Sequence, residues 1–450
     1  MEYNTIFFGD VAKIKNGYAF KSKEFQEKGI PVIKIKNIIS PIVDTKDSQK
    51  VSIKTYEKTK GFSLKKNDIL ISLTGSGVNQ MSSAVGKVGR IEFDYPALQN
   101  QRVGKFELKY SNSADLDFLF YYFLQPKITE YLVRNSTGSA NQANINSKLI
   151  ETVKIPSFSL IKQKSISKFL NQITRKIETN QKIIANLEEL SQTLFKRWFV
   201  DFEFLDENGN PYKSSGGEMI DSELGEIPKG WKVSKFNDYI ENIVAGDWGK
   251  QNEEGNYTCP TRIIRGADLD SFSKGNKGKA PIRYILEKNY KKKKLIAGDI
   301  IIEISGGSPT QSTGRTLLID NNIITYNDKL VSTNFCKVIR PSVNYYSDWI
   351  NEYLKYLYDR NVFFNYENGT TGIKNLDYKS VLNTMKIISP EIYLIKKFHY
   401  QTHKYYNYIQ TLGYENKKLQ DLRDTLLPKI MSGEIEIPDD IEVNNDELSI

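Results

Sequence analysis

The sequence predicts an α+β chain built from two similar mixed α/β blocks, each followed by a long helix, and three observations carry that reading. The run Leu64–Ile71 is echoed 231 residues later by Leu295–Ile302, and the same offset places Gly75, Gly138, Asn144 and Lys148 on Gly306, Gly369, Asn375 and Lys379. A shift of 232 then matches Leu187, Leu190, Thr193 and Leu194 to Leu419, Leu422, Thr425 and Leu426. Sustained heptad spacing accompanies both leucine-rich stretches. So long a repeat is no solenoid, whose units run at about 20 to 50 residues. A duplicated body suits a ligand that itself comes in two parts.

Residues 1–157 form the first block. Pro31–Ile35 and Asp68–Leu73 are β-rich runs, and Asp115–Gln125 is an aromatic-rich helix stopped by Pro126. The central helix, residues 158–205, packs through Ile166, Leu170, Ile173, Ile177, Asn180, Ile184, Leu187, Ser191, Leu194 and Trp198. Residues 206–389 open on the turn-rich Asp206–Pro211 and Ser214–Gly217 and continue as the second block. The C-terminal helix, residues 390–433, offers Phe398, Tyr405, Ile409, Leu412, Leu419, Leu426 and Ile430 as the matching stripe. The two helices are expected to pair, with Asn180, Asn416 and Arg423 as register devices. Antiparallel pairing would set the blocks at opposite ends of a rod; parallel pairing would set them side by side. The acidic tail, residues 434–450, is expected to be partly disordered, with Ile435 and Ile437 able to dock on the first block.

At 450 residues and 39% apolar, the chain can build real cores. Its net charge of +9 tilts toward a polyanionic partner. Cys259 and Cys336 are too few for a disulfide framework, which suits a reducing compartment. With no export signal or membrane-length apolar run, a soluble cytoplasmic protein is expected.

Catalytic constellations are missing. His399 and His403 stand at helical spacing, but Tyr400 occupies the place where a zinc protease needs glutamate, so an ordinary packed or surface role is expected and no metal site is assigned. Gly75-Ser76-Gly77 lacks the lysine of a phosphate loop. No Asn-Pro-Pro-aromatic or Asp-Pro-Pro-Tyr segment is present for adenine methylation, and Pro438-Asp439-Asp440 lacks the acid-x-lysine of a metal-dependent nuclease.

What remains is binding. Readers of DNA need cations for phosphate and forked or amide side chains for base edges. The first block offers Thr74, Ser76, Lys87, Arg90, Gln99, Asn100, Gln101 and Arg102, then Ser139, Asn141, Gln142 and Asn144. The second offers Ser305, Gln311, Thr313, Arg315, Asn327 and Lys329, then Thr370, Thr371, Lys374 and Asn375. Lys291–Lys294 could add a sequence-neutral phosphate contact.

Three signatures in order then resemble the specificity subunit of a type I DNA restriction-modification enzyme. They are Leu187–Leu190 running to Leu194–Phe202, Leu224–Trp231 opening the second block, and Leu422–Ile435 near the end. The resemblance spans essentially the whole chain and is weakest within the blocks. It implies two target-recognition domains separated by two long helices forming an antiparallel intramolecular coiled coil, pseudo-two-fold symmetric. Each domain would read one half of a split, asymmetric site in double-stranded DNA, with the helices as a ruler. About 35 helical residues span roughly 50 Å, against about 34 Å per turn of B-DNA. It further implies a non-catalytic chain without cofactors of its own. Two modification subunits would bind S-adenosylmethionine and methylate adenine; restriction subunits would use ATP and magnesium to translocate and cut. A stand-alone restriction or methylation enzyme and a protein-only scaffold are the alternatives.

Overall fold

The computed structural model describes residues 4–77, 80, 85–139, 142–306, 308, 310–369 and 373–438. The chain divides into two compact units, Met1–Arg175 with Leu419–Ile450, and Lys176–Lys418. Each therefore contains one block and a segment of both long helices.

The echoed run is a turn that launches a central strand. In the first unit Asn67 adopts a left-handed backbone (φ 70°) and the Asp68 carboxylate accepts from the Lys65 amide at 3.0 Å, after which Ile69–Ser72 is buried throughout. In the second unit Gly298 (φ 93°) and Asp299, which accepts from Ile296 at 2.9 Å, do the same ahead of Ile300–Glu303. Asparagine and glycine tolerate the left-handed region that most residues avoid. That requirement, plus an apolar strand buried on both faces, explains why this stretch is so alike in both halves.

Around these strands the two topologies agree. In the first unit the sheet runs Ala12–Asn16, Val103–Leu108, Ile69–Ser72, Val88–Arg90 and then two short strands; in the second it runs Ile240–Ala245, Cys336–Pro341, Ile300–Glu303, Thr316–Leu318. A parallel pair lies in a second sheet of each unit, Ile30–Ile33 with Ala97–Gln99 and Tyr257–Ile264 with Leu330–Ser332. A third sheet joins Thr74–Gly75 to the hairpin Thr137–Ser139/Gln142–Asn144, matched by Ser305–Gly306 with Glu367–Asn368 and Lys374–Leu376.

In the first block, the aromatic helix is Leu116–Phe123, N-capped by Asp115, and Pro126 opens a second helix, Pro126–Arg134, rather than ending the helical region. Proline suits a first helical position, where its missing N–H costs nothing.

The long helices are Leu160–Phe195, closed by a π-helical turn Lys196–Val200, and Ile392–Met431. Within the second unit their segments run antiparallel: Asn180 donates to Asn416 at 3.0 Å and to Glu415 at 2.7 Å, Ile184 clusters with Ile409 and Leu412, and Ser191 lies 3.4 Å from the Tyr406 hydroxyl. Within the first unit Lys162 meets the Ile437 carbonyl, while Ile166 and Leu170 share a core with Leu427 and Ile430. Ile173 and Ile177 are buried; Leu187, Leu194, Leu419 and Leu426 are only half-buried.

The stripe on the C-terminal helix departs from a strict seven-residue repeat. Tyr405 is half-buried with its hydroxyl on Gln401, whereas Thr402, Gln410 and Gly413 face inward. The second block supplies the reason. Gln410 donates to the Phe272 carbonyl at 2.7 Å, and a Cβ on Gly413 would stand 1.9 Å from the Lys274 carbonyl. A straight helix also drifts by roughly 20° per heptad, so contacts wander off fixed positions. Trp198 and Phe199 close the central helix against Phe398, at ring separations of 6.1 and 5.1 Å.

Ile437 is buried in the first core and Ile435 packs partly against it; residues 439–450 of the acidic tail lie outside the described residues. No helix among the described residues is long and apolar enough to cross a membrane.

Candidate nucleic-acid interface

One loop in each unit is held by the same backbone bonds. In the first, Tyr18 N donates to Gln99 O (2.9 Å), Asn100 N to Ile33 O (3.1 Å), Val103 N to Asn100 O (3.0 Å) and Leu73 N to Arg102 O (3.0 Å). In the second, Asp247 N donates to Ser332 O (2.8 Å), Thr333 N to Ile264 O (2.9 Å), Cys336 N to Thr333 O (3.1 Å) and Ile304 N to Phe335 O (2.9 Å). A glycine permits the approach on both sides: a Cβ on Gly17 would stand 2.2 Å from Asn100 O, and one on Gly246 2.0 Å from Thr333 O. Residues 99–102 thus correspond to 332–335. The side chains at the tips are exposed and unlike: Gln101 and Arg102 in one block, Asn334 and Phe335 in the other.

The offset between the repeats has grown from 231 to 233 by this point in the chain, and the polar side chains of Asn327 and Lys329 draw the sequence expectation away from the second tip. Asn327 and Lys329, taken from sequence as the counterparts, lie ahead of the loop. Asn327 donates to the Ile323 carbonyl at 2.8 Å, and Lys329 sits 3.2 Å from the Cys259 sulfur and 3.7 Å from Glu287.

The other first-block candidates divide by direction. Gln99 is buried and donates to the carbonyls of Lys15 and Val103 at 2.7 and 2.8 Å. Arg90 turns to Asp117 (3.1 Å) and Asn171 (2.9 Å), tying the sheet to the central helix. Asn100 caps its own loop, its Oδ1 accepting from the Arg102 amide at 3.3 Å. Among the described residues no partner holds the exposed Arg102 guanidinium. Thr74 donates to Asn144 at 3.0 Å, joining the third sheet, with Ser139 opposite Gln142 in the hairpin and Gln142 exposed. Ser76 and Lys87 are half-buried beside this sheet's entry strand; Asn141 lies outside the described residues.

In the second block, Arg315 grips the Glu303 carboxylate with Nε at 2.9 Å and Nη2 at 2.7 Å. The Thr313 amide and hydroxyl both donate to Glu367 (2.6 and 2.9 Å), which Lys374 also meets at 2.9 Å. Against the upward push of burial, Lys374 and Thr313 hold the Glu367 carboxyl below its ordinary range. Gln311 reaches the Tyr358 hydroxyl at 3.4 Å, and Ser305 pairs with Asn375 across the third sheet. Thr370 and Thr371 lie outside the described residues. Of Lys291–Lys294, Lys293 is pinned to Asp247 at 2.9 Å, while Lys291 and Lys292 are exposed.

The second tip borders a cleft of about 530 Å³ lined by Trp248, Arg265, Ser305, Asn334 and Phe335. Trp248 is steadied by the Arg283 guanidinium, 4.4 Å from its ring, and Arg265 is forked onto Asp268 at 2.8 and 3.1 Å. An amide and two aromatic faces around one opening can form a hydrogen bond to a base edge and apolar contacts to a thymine methyl group.

Known proteins share the sequence and fold of this chain. A family model described as the type I restriction modification DNA specificity domain matches residues 1–189. The chain is similar to the type I restriction enzyme MjaIX specificity subunit of Methanocaldococcus jannaschii, 27% identical over 328 residues, covering 71% of this chain and 69% of that protein. It is also similar to the HindI specificity subunit of Haemophilus influenzae, 23% identical over 376 residues, covering 71% of this chain and 77% of that one. Its fold resembles that of the type I restriction-modification S subunit from M. genitalium, with a TM-score of 0.58 at 16% identity over 95% of this chain and 96% of the other.

Proposed function

We propose that this chain, which belongs to the family of type I restriction-modification DNA specificity subunits, reads a bipartite and asymmetric site, one half with each block. The observation that carries the asymmetry is the pair of equivalent loops. Their backbone frames agree bond for bond, while their exposed side chains differ. Equal frames support equal placement against a duplex; unlike tips support different base preferences.

In this reading, contacts to DNA come from the Gln101–Arg102 tip and from the exposed Gln142 in one block. In the other they come from Asn334, Phe335 and the cleft beside them. Exposed lysines such as Lys291 and Lys292 add phosphate contacts that weaken as salt rises. The paired helices set the spacing tolerated between half-sites. The chain itself performs no chemistry. Two modification subunits bind S-adenosylmethionine and methylate adenine, and restriction subunits spend ATP with magnesium on translocation and cutting, all in the cytoplasm.

Methylome sequencing of cells expressing the chain with its modification subunit tests this. The expected result is one split motif, with its two halves changed separately by substitutions at the two tips. A continuous motif, or methyl transfer by the isolated chain, would overturn it.

A further inference from the structure

The chain's two histidines, His399 and His403, meet a third ligand-type group within the second unit. They stand one turn apart on the C-terminal helix with ring centroids 5.1 Å apart. Beside them is Asp348, from the first turn of the helix Ser347–Asp359. One donor atom from each of the three residues lies within 4.8 Å of the other two.

The Asp348 carboxylate is fully buried. Its Oδ2 faces His399 Nδ1, and its Oδ1 lies 3.2 Å from the Thr402 hydroxyl, so the carboxylate is already oriented. An imidazole nitrogen can bring a lone pair to a metal ion. A simple ion pair would account for Asp348 and one imidazole. It gives the second imidazole nothing to do.

We propose that Asp348, His399 and His403 form a site for a divalent transition-metal ion of the zinc type, clamping the C-terminal helix to the helix Ser347–Asp359, with the remaining position left to water. Two imidazole nitrogens and one carboxylate oxygen suit zinc, cobalt or nickel, whereas magnesium and calcium favour all-oxygen sites. With metal–ligand bonds of about 2.0 to 2.1 Å, tetrahedral donors stand about 3.3 Å apart. The donors, all within 4.8 Å of one another, would draw in to that spacing on binding. The Thr402 hydroxyl supplies the kind of outer contact that orients a ligating carboxylate.

Cobalt(II) added to the chelator-treated full-length protein tests the site, because four-coordinate cobalt has intense visible ligand-field bands. The expected result is one equivalent bound, bands that zinc abolishes, and a melting temperature raised by zinc. His403→Gln, which leaves the His399–Asp348 pair intact, should lose the bands and the zinc-dependent shift while keeping the wild-type circular dichroism spectrum. His399→Gln provides a second variant should the first fold poorly. Absence of stoichiometric cobalt binding by the wild-type chain, or unchanged bands in both variants, would overturn the proposal.

Discussion

Replacing Arg315 with leucine should unfold the second unit more easily, not merely weaken DNA reading. The residue carries the side chain that sequence reasoning would give to a base, yet both arms of its guanidinium lie on Glu303. That carboxylate is enclosed: its side chain is 5% exposed, and a Cβ on Gly266 would stand 2.2 Å from Oε1. Removing one partner of a buried pair costs about 3 to 5 kcal/mol, because a charge is left without a counter-charge. Arg315 is 32% exposed, so water offsets part of the loss and the lower end, about 3 kcal/mol, is expected. Tryptophan fluorescence reads this unit alone, since Trp198, Trp231, Trp248 and Trp349 all fall within Lys176–Lys418. With a urea slope of about 3 kcal/mol per molar, the midpoint should fall by about 1 M. Pairing the change with Glu303→Gln should recover part of that loss, as a double-mutant cycle measures. An unchanged midpoint for Arg315→Leu, with binding lost, would refute the bracing role and return Arg315 to the DNA face.

Substituting alanine at Arg102 should weaken recognition of one half-site by about 1 to 3 kcal/mol, and at Asn334 that of the other, measured by gel shift on singly altered duplexes with the modification subunit present. Asn180→Leu alone should strand the buried Asn416 amide and cost about 1 to 3 kcal/mol, while the Asn180→Leu/Asn416→Leu pair should recover stability, read from thermal melts. Asp320 is buried and also feels Asp348, which together push its carboxyl from 3.8 up to about 6. The stability tied to this group is therefore greatest below the unfolded value near 4 and is lost as pH rises through 6. Asp320→Asn, which can still cap Ile323, should gain at most about 3 kcal/mol at pH 7 and nothing below about pH 3, as paired melts would record.

The duplication, the long helices and the polar positions Asn180 and Asn416 on their seam were legible in sequence because each rests on spacing or on a backbone demand. Asn67 and Gly298 share a left-handed turn, and Asn180 meets Asn416 because both occupy a buried seam. The direction of polar side chains was not legible. Gln99, Thr313 and Arg315 look in sequence like Gln101 and Arg102, but they turn inward to satisfy buried carbonyls and carboxylates contributed by distant strands. Such partners are invisible to local pattern. Phe335 is the opposite case: it carries no polar group that would mark it in sequence as a reader, yet it is 59% exposed.

That exposure follows from how the loop is built. Residues 99–102 and 332–335 are fixed by main-chain bonds and by the glycines opposite them, not by the side chains at their tips. A tip held in this way can exchange arginine for phenylalanine without leaving a buried donor unsatisfied, so the change has little effect on folding. The contrast with Glu303 and Arg315 is direct, since there the side chains themselves carry the fold. Within one chain, then, the frame has been duplicated and the exposed pair has diverged. Transplanting Gln101 and Arg102 onto positions 334 and 335 should therefore leave the tryptophan-detected unfolding midpoint within about 0.5 kcal/mol of the original while altering the second half of the methylated motif. A large loss of stability from that exchange would mean that Asn334 and Phe335 support the fold, and the division between frame and reader would fail.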